Sequence, residues 1–104
     1  MFDTIEKLGQ SLIQHGPNNQ RIYLMKLHKK DYPSIIRRLV EMAKENGYSK
    51  IFAKVPTWAK EQFSKNGFRQ EAEIPRFYNG QTAAHFYAKY FSDDGRQTLS
   101  NEDK

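Results

Sequence analysis

Cysteine is absent from this chain of 104 residues, so disulfides, thiolate metal sites and cysteine nucleophiles are excluded and the fold must rest on packing alone. Long apolar runs are missing as well. No stretch approaches the roughly 18 consecutive apolar residues of a membrane span, and residues 1–10 lack the apolar centre of a signal peptide. A soluble, cytoplasmic protein with no membrane partner is the expectation. The chain also lacks low-complexity tracts and internal repeats, which leaves one small domain. What it does have is aromatic side chains, 13% of the total. A domain of this length buries only roughly 60 to 70% of the surface its unfolded chain exposes, so most of those rings belong in the core.

Charge is unevenly spread. The whole chain carries 17 basic and 12 acidic side chains, but residues 1–91 hold 15 bases against 8 acids, a balance of +7. Residues 92–104 are polar and acidic, with Leu99 as their one large apolar side chain, and read as a flexible tail or linker.

Hydrophobic periodicity orders the body. The opening is ambiguous, since Ile5, Leu8, Leu12 and Ile13 have helical spacing while residues 11–14 suit a strand entering the turn His15-Gly16-Pro17; we read a strand. Residues 21–27 form a clearer strand, with Ile22 and Leu24 alternating with Tyr23, Met25 and Leu27, so that both faces are apolar and the strand is central. Asp31 can cap a helix with Pro33 in its first turn, Ile35, Ile36, Leu39, Val40 and Ala43 on the buried face, and Asn46-Gly47 at its end. Residues 49–55 read as a strand closed by Pro56. Thr57 caps a short helix in which Trp58, Ala59, Gln62 and Phe63 share a face. In residues 68–74 Phe68, Gln70, Ala72 and Ile74 alternate with Arg69, Glu71 and Glu73, as in a strand with one solvated side. Residues 82–91 form the last strand, reached through the hairpin signal Asn79-Gly80. The fold class is therefore α/β, a mixed sheet of about five strands with two main helices and a C-terminal antiparallel hairpin.

That order, with Phe63-Ser64-Lys65-Asn66-Gly67-Phe68 ahead of a strand and a final hairpin at Tyr78-Asn79-Gly80, resembles the C-terminal half of the GNAT acetyltransferase fold. Ser11-Leu12-Ile13-Gln14-His15-Gly16, Arg21-Ile22-Tyr23-Leu24-Met25-Lys26-Leu27, Ile51-Phe52-Ala53-Lys54-Val55-Pro56 and Ile74-Pro75-Arg76-Phe77-Tyr78-Asn79-Gly80 further resemble the N-terminal portion of beta-lysine N-acetyltransferases. The resemblance spans residues 3–91. It implies a degenerate GNAT-like domain over residues 1–91, accessory to a C-terminal GNAT domain of the same protein that transfers acetyl from acetyl-CoA to the side-chain amine of beta-lysine. The product of such enzymes is a compatible solute used in osmoadaptation.

Residue by residue, the chemistry thins out. A GNAT fold meets the coenzyme pyrophosphate with a glycine-rich turn at a helix N-terminus. The corresponding turn here, His28-Lys29-Lys30-Asp31-Tyr32-Pro33, has no glycine, loses one N–H to Pro33 and places a carboxylate where phosphates would lie. The superfamily's general-acid tyrosine, in a pattern resembling Phe-Tyr-x-x-x-Gly-Phe, is matched by Phe63, which has no proton to give. No cofactor is therefore expected to bind this domain, acetyl-CoA being expected for the complete enzyme, and whether this chain is itself an enzyme stays open. His15, His28 and His85 are too far apart in sequence to form a metal motif, so no metal site is assigned. Glu71 and Glu73 fall on one face as solvated charges. No serine has an evident triad. Phe77, Tyr78 and Asn79 at the hairpin are the candidate substrate or domain contact, because two exposed rings are costly in water. Two other readings remain. A small nucleic-acid-binding module is motivated by the basic body and exposed rings such as Tyr87, but Glu41 and Glu45 interrupt its basic stripe, so nucleic acid is an improbable partner. A structural dimerisation domain would pair two copies through a sheet edge.

Overall fold

In a computed structural model, residues 3–91 are described; the tail expected at residues 92–104 lies outside them. The strands are β1 (Thr4–Leu8), β2 (Ser11–Gly16), β3 (Arg21–Lys26), β4 (Lys50–Pro56), β5 (Arg69–Tyr78) and β6 (Thr82–Tyr90). The helices are α1 (Ser34–Asn46), between β3 and β4, and α2 (Lys60–Lys65), between β4 and β5, with single 3-10 turns at Lys29–Asp31 and Thr57–Ala59. One mixed sheet runs in the order β1-β2-β3-β4-β6-β5. Among the described strands only β3 and β4, joined through α1, pair in parallel; β4 and β5 are also joined through a helix but do not pair, because β6 lies between them. The α/β class and the C-terminal hairpin agree with the sequence reading; the sheet has six strands instead of about five.

Both helices lie on one face. Ile35, Ile36, Leu39 and Ala43 of α1 and Phe63 of α2 pack onto Ile22, Leu24, Ile51, Ala53, Val55 and Tyr87 of the sheet in a single core. Helix α1 ends as its sequence demands, at Gly47 with φ 69°, whose N–H reaches the Ala43 carbonyl. On the opposite face the alternate residues Tyr23, Met25, Phe52, Lys54 and Phe86 are only half buried, and among the described residues no element covers them.

Several local expectations fail for identifiable reasons. Strand β1 escapes the sequence reading because four of its five residues are exposed, which erases the alternation. Asp31 does not cap α1, whose N-cap is Pro33 without a side-chain bond; its carboxylate instead accepts the Gln10 N–H (2.9 Å) and the Ser11 hydroxyl (2.6 Å). Thr57 likewise leaves α2 uncapped and bonds His85. Trp58 is 48% exposed, off the face shared by Ala59 and Phe63. Strand β5 runs to Tyr78 and buries none of its residues, because it is the sheet edge. Its ladder to β6 is irregular at Glu71 and again between Ile74 and Tyr78, where Arg76 has φ 57°. The tip is as expected. Asn79 (φ 52°) and Gly80 (φ 68°) form a type I′ turn closed by Gln81 N–H to Tyr78 O at 2.9 Å.

Candidate functional site

The parallel ladder between β3 and β4 extends from Arg21↔Lys50 to Leu24↔Ala53 and then stops. Beyond it β3 continues beside β2, where the register shifts at Leu12/Ile13, and β4 continues beside β6 as far as Pro56↔Ala84. The two strands therefore diverge, leaving Met25 and Lys26 on one side and Lys54 to Pro56 on the other without a strand partner across the gap. A cleft of about 730 Å³ opens there, lined by Tyr23, Met25, Leu27, Lys54, Trp58 and Tyr78 among others. Size and lining are those of a small-molecule site, mostly apolar with a few polar groups.

Phe77 and Tyr78 both reach this cleft. Their rings meet edge to face at 5.1 Å, and the Lys54 ammonium sits 4.7 Å from the Phe77 centroid. Burial, and secondarily neighbouring Tyr23, push the Tyr78 phenol above its ordinary pKa, so it is a proton and hydrogen-bond donor at neutral pH. Asn79, the third residue of the group, is exposed at the turn and supplies its left-handed backbone.

The helical side of the gap is crowded. Tyr32 packs edge to face on Trp58 (5.4 Å) and stacks on Phe63 (6.5 Å), and its hydroxyl accepts the Gln62 N–H at 3.1 Å. Phe63 is fully buried against Phe68 (5.1 Å) and Tyr87 (6.2 Å). Tyr87 is thus a core residue, only 3% exposed, and is not one of the exposed rings on which the nucleic-acid reading drew.

Beside the cleft His85 is buried, a placement the sequence did not signal. Its Nδ1–H donates to Gln70 Oε1 (3.0 Å), with Glu73 Oε1 at 3.6 Å, so Nε2 accepts the Thr57 hydroxyl at 3.0 Å. Glu73 and Glu71 do not share a face: the irregularity at Glu71 separates them, and Glu71 instead accepts the Tyr90 hydroxyl at 3.0 Å. Burial first, and then Lys60, hold the His85 pKa below its ordinary 6.5, opposed by Glu73. The unfolded chain therefore takes up this proton before the folded one, so His85's contribution is complete above about pH 6.5 and declines as pH falls through the window beneath it. Urea denaturation from pH 8 to pH 5 should show stability falling over that window, with a shallower fall in His85→Gln; parallel curves would contradict the assignment. The other histidines lie elsewhere, His15 between Glu6 and Tyr48 and His28 on the Lys30 N–H.

Known proteins converge on this architecture. The ribosomal-protein-S18-alanine N-acetyltransferase of Escherichia coli superposes with a TM-score of 0.58 at 15% identity, covering 90% of this chain and 70% of that one. An acetyltransferase of Bacillus subtilis solved in complex with CoA gives 0.56 at 16%, covering 85% and 75%. Such identities speak to the fold alone. The fold is GNAT-like. No protein-family profile matches the sequence. A beta-lysine N(6)-acetyltransferase of Methanococcus maripaludis is 36% identical over 92 residues, 88% of the present chain. The GNAT-like chain spans about a third of the length of that relative, 33%. No helix among the described residues is long and apolar enough to cross a membrane.

Proposed function

We propose that this GNAT-like domain is an accessory part of an acetyltransferase acting on the side-chain amine of beta-lysine, with acetyl transfer carried out by a further GNAT domain of the same protein. The relative from Methanococcus maripaludis supports the substrate class, and the match to a third of its length supports a role as one part of a larger enzyme. Production of a compatible solute in the cytoplasm follows from the same reading.

The observation that carries the accessory role is the turn from β3 to α1. The residues present do not fit a coenzyme pyrophosphate. The turn has no glycine, Pro33 at the N-cap lacks an N–H, and the Ile36 N–H is taken by the Pro33 carbonyl. Asp31 adds a negative charge, and Tyr32 fills the space between the start of α1 and the start of α2. Phe63, at the family's tyrosine position, is sealed in the core without a hydroxyl. The divergent strands keep the shape of a ligand cleft, and we assign Phe77, Tyr78 and Asn79 at its rim to contact with the catalytic domain or its amine substrate.

Calorimetric titration of the 104-residue chain with acetyl-CoA is expected to give no saturable heat, and no acetylated beta-lysine should form. The chain should co-elute with the catalytic domain on gel filtration, and Tyr78→Ala should abolish co-elution. Saturable coenzyme binding would overturn the accessory role, and unchanged co-elution of Tyr78→Ala would overturn the contact assignment.

A further inference from the structure

The uncovered face of the sheet holds a second hollow, of about 380 Å³, whose lining includes Arg21, Tyr23, Phe52, Glu71 and Phe86. Its floor is aromatic and its charges are of both signs. The Arg21 guanidinium lies over the rings of Tyr23 (5.9 Å) and Phe52 (5.7 Å). Among the described residues it makes no ion pair, and its Nε is buried without a hydrogen-bond partner. A buried donor left unpaired costs stability, so native structures seldom keep one without a use. Lys50, paired with Arg21 in the ladder, adds a second positive charge to this end of the face. Glu71 stands on the other wall, placed there by the irregularity in β5, with the Tyr90 hydroxyl as its one hydrogen-bond partner among the described residues. Burial and Glu71 both raise the Tyr90 pKa, so that hydroxyl remains a donor and Glu71 keeps accepting capacity for a cation.

We propose that this hollow binds the head group of an amino acid zwitterion: a carboxylate forked by Arg21 and an adjacent ammonium held by Glu71 over the Tyr23, Phe52 and Phe86 rings. The Arg21 side chain turns to present Nε and a terminal nitrogen, which gives its unpaired donor an acceptor. Tyr23 lines this hollow and the larger cleft alike, so the two adjoin. From Arg21 to the end of the parallel ladder at Leu24 is three strand residues, about 10 Å. A ligand with a long aliphatic chain ending in a second amine therefore has its head at Arg21 and its far amine at the mouth of the cleft. The choice of a diamino acid such as beta-lysine rests on the proposed function; the zwitterion site rests on the geometry alone.

The test is titration of the chain with beta-lysine, L-lysine, 6-aminohexanoate and cadaverine, read by calorimetry and by the NMR signal of the Arg21 Nε–H. The diamino acids should bind saturably and move that signal. Arg21→Gln should weaken them tenfold or more and leave cadaverine, which has no carboxylate, unchanged. Glu71→Gln should weaken the diamino acids but not 6-aminohexanoate, which lacks an amine near its carboxylate. An unmoved Arg21 signal, or equal affinities in wild type and Arg21→Gln, would overturn the site. The wild-type signal and the charge-preserving Arg21→Lys keep the test decisive should Arg21→Gln unfold. Acetyl-CoA is titrated separately: coenzyme binding with amino acid binding intact overturns the accessory reading and upholds this site, whereas absence of both overturns this site alone.

Discussion

Phe63→Ala is expected to lower the melting temperature by about 15 °C or more, the largest effect of any single substitution considered. Phe63 is fully buried, and three rings, those of Phe68, Tyr87 and Tyr32, lie within 6.5 Å of its own. Truncating a buried phenylalanine costs about 3–5 kcal/mol in lost transfer energy and residual cavity, and each kcal/mol shifts the midpoint of a domain this small by about 4–8 °C. Total stabilities are only about 5–15 kcal/mol, so the variant should sit near its folding threshold at ambient temperature. Thermal melts followed by far-ultraviolet circular dichroism measure this directly, with Phe63→Leu as the milder control. A shift below about 5 °C would mean that the ring is not the hinge of the core and that α2 holds its place by other contacts. The same geometry bears on chemistry. A residue whose ring is surrounded by other rings on the helical side is committed to packing, and a hydroxyl added there would be buried with it.

How much of this is legible in advance depends on whether a segment buries one face in regular alternation. Helix α1 is legible because Ile35, Ile36, Leu39 and Ala43 recur at its period and Gly47 supplies its left-handed end. Strands β3 and β4 are legible for the corresponding reason, and β6, whose burial does not alternate, through the Asn79-Gly80 turn ahead of it. Strand β1 is not, since Ile5 is 57% exposed at a sheet edge and no alternation survives. Strand β5 is visible but its faces are not, because its irregularities insert residues into the period of two and send Glu71 to the opposite face from Glu73. The candidate sites divide in the same way. Phe77 and Tyr78 stand out as rings beside a turn, a local signal. Arg21 and Glu71 lie fifty residues apart in sequence and come to line one hollow only through the sheet order β3-β4-β6-β5, which no local pattern encodes. One clue is available: residues 21–27 are apolar on both faces, a pattern that reads as burial on both. The sheet leaves one of those faces uncovered, and its aromatic residues line the two hollows instead.

Asp31→Ala is expected to cost about 2–4 kcal/mol, because hydrogen bonds to a charged group contribute about 1.5–3 kcal/mol and a buried hydroxyl left without its acceptor adds to the loss. The carboxylate joins two distant turns. It accepts the Gln10 N–H and the hydroxyl of Ser11, which is fully buried and itself accepts the His28 N–H at 2.8 Å. The closeness of that contact shows at Gly9, where a Cβ would stand 2.5 Å from Asp31 Oδ1. Urea denaturation of Asp31→Ala, Ser11→Ala and the double variant should reveal strong coupling, since both members serve one chain of hydrogen bonds. Additive losses would show instead that each residue acts alone. The result also bears on the proposal that this domain binds no coenzyme. A carboxylate held at the start of α1 repels phosphate, and a side chain required for stability cannot be removed without cost. If that repulsion alone excluded a coenzyme, the isosteric Asp31→Asn would restore acetyl-CoA binding. With Tyr32 still in place between the helices and no glycine in the turn, Asp31→Asn is expected to give no saturable acetyl-CoA binding, which would make the misfit a property of the whole turn rather than of one charge.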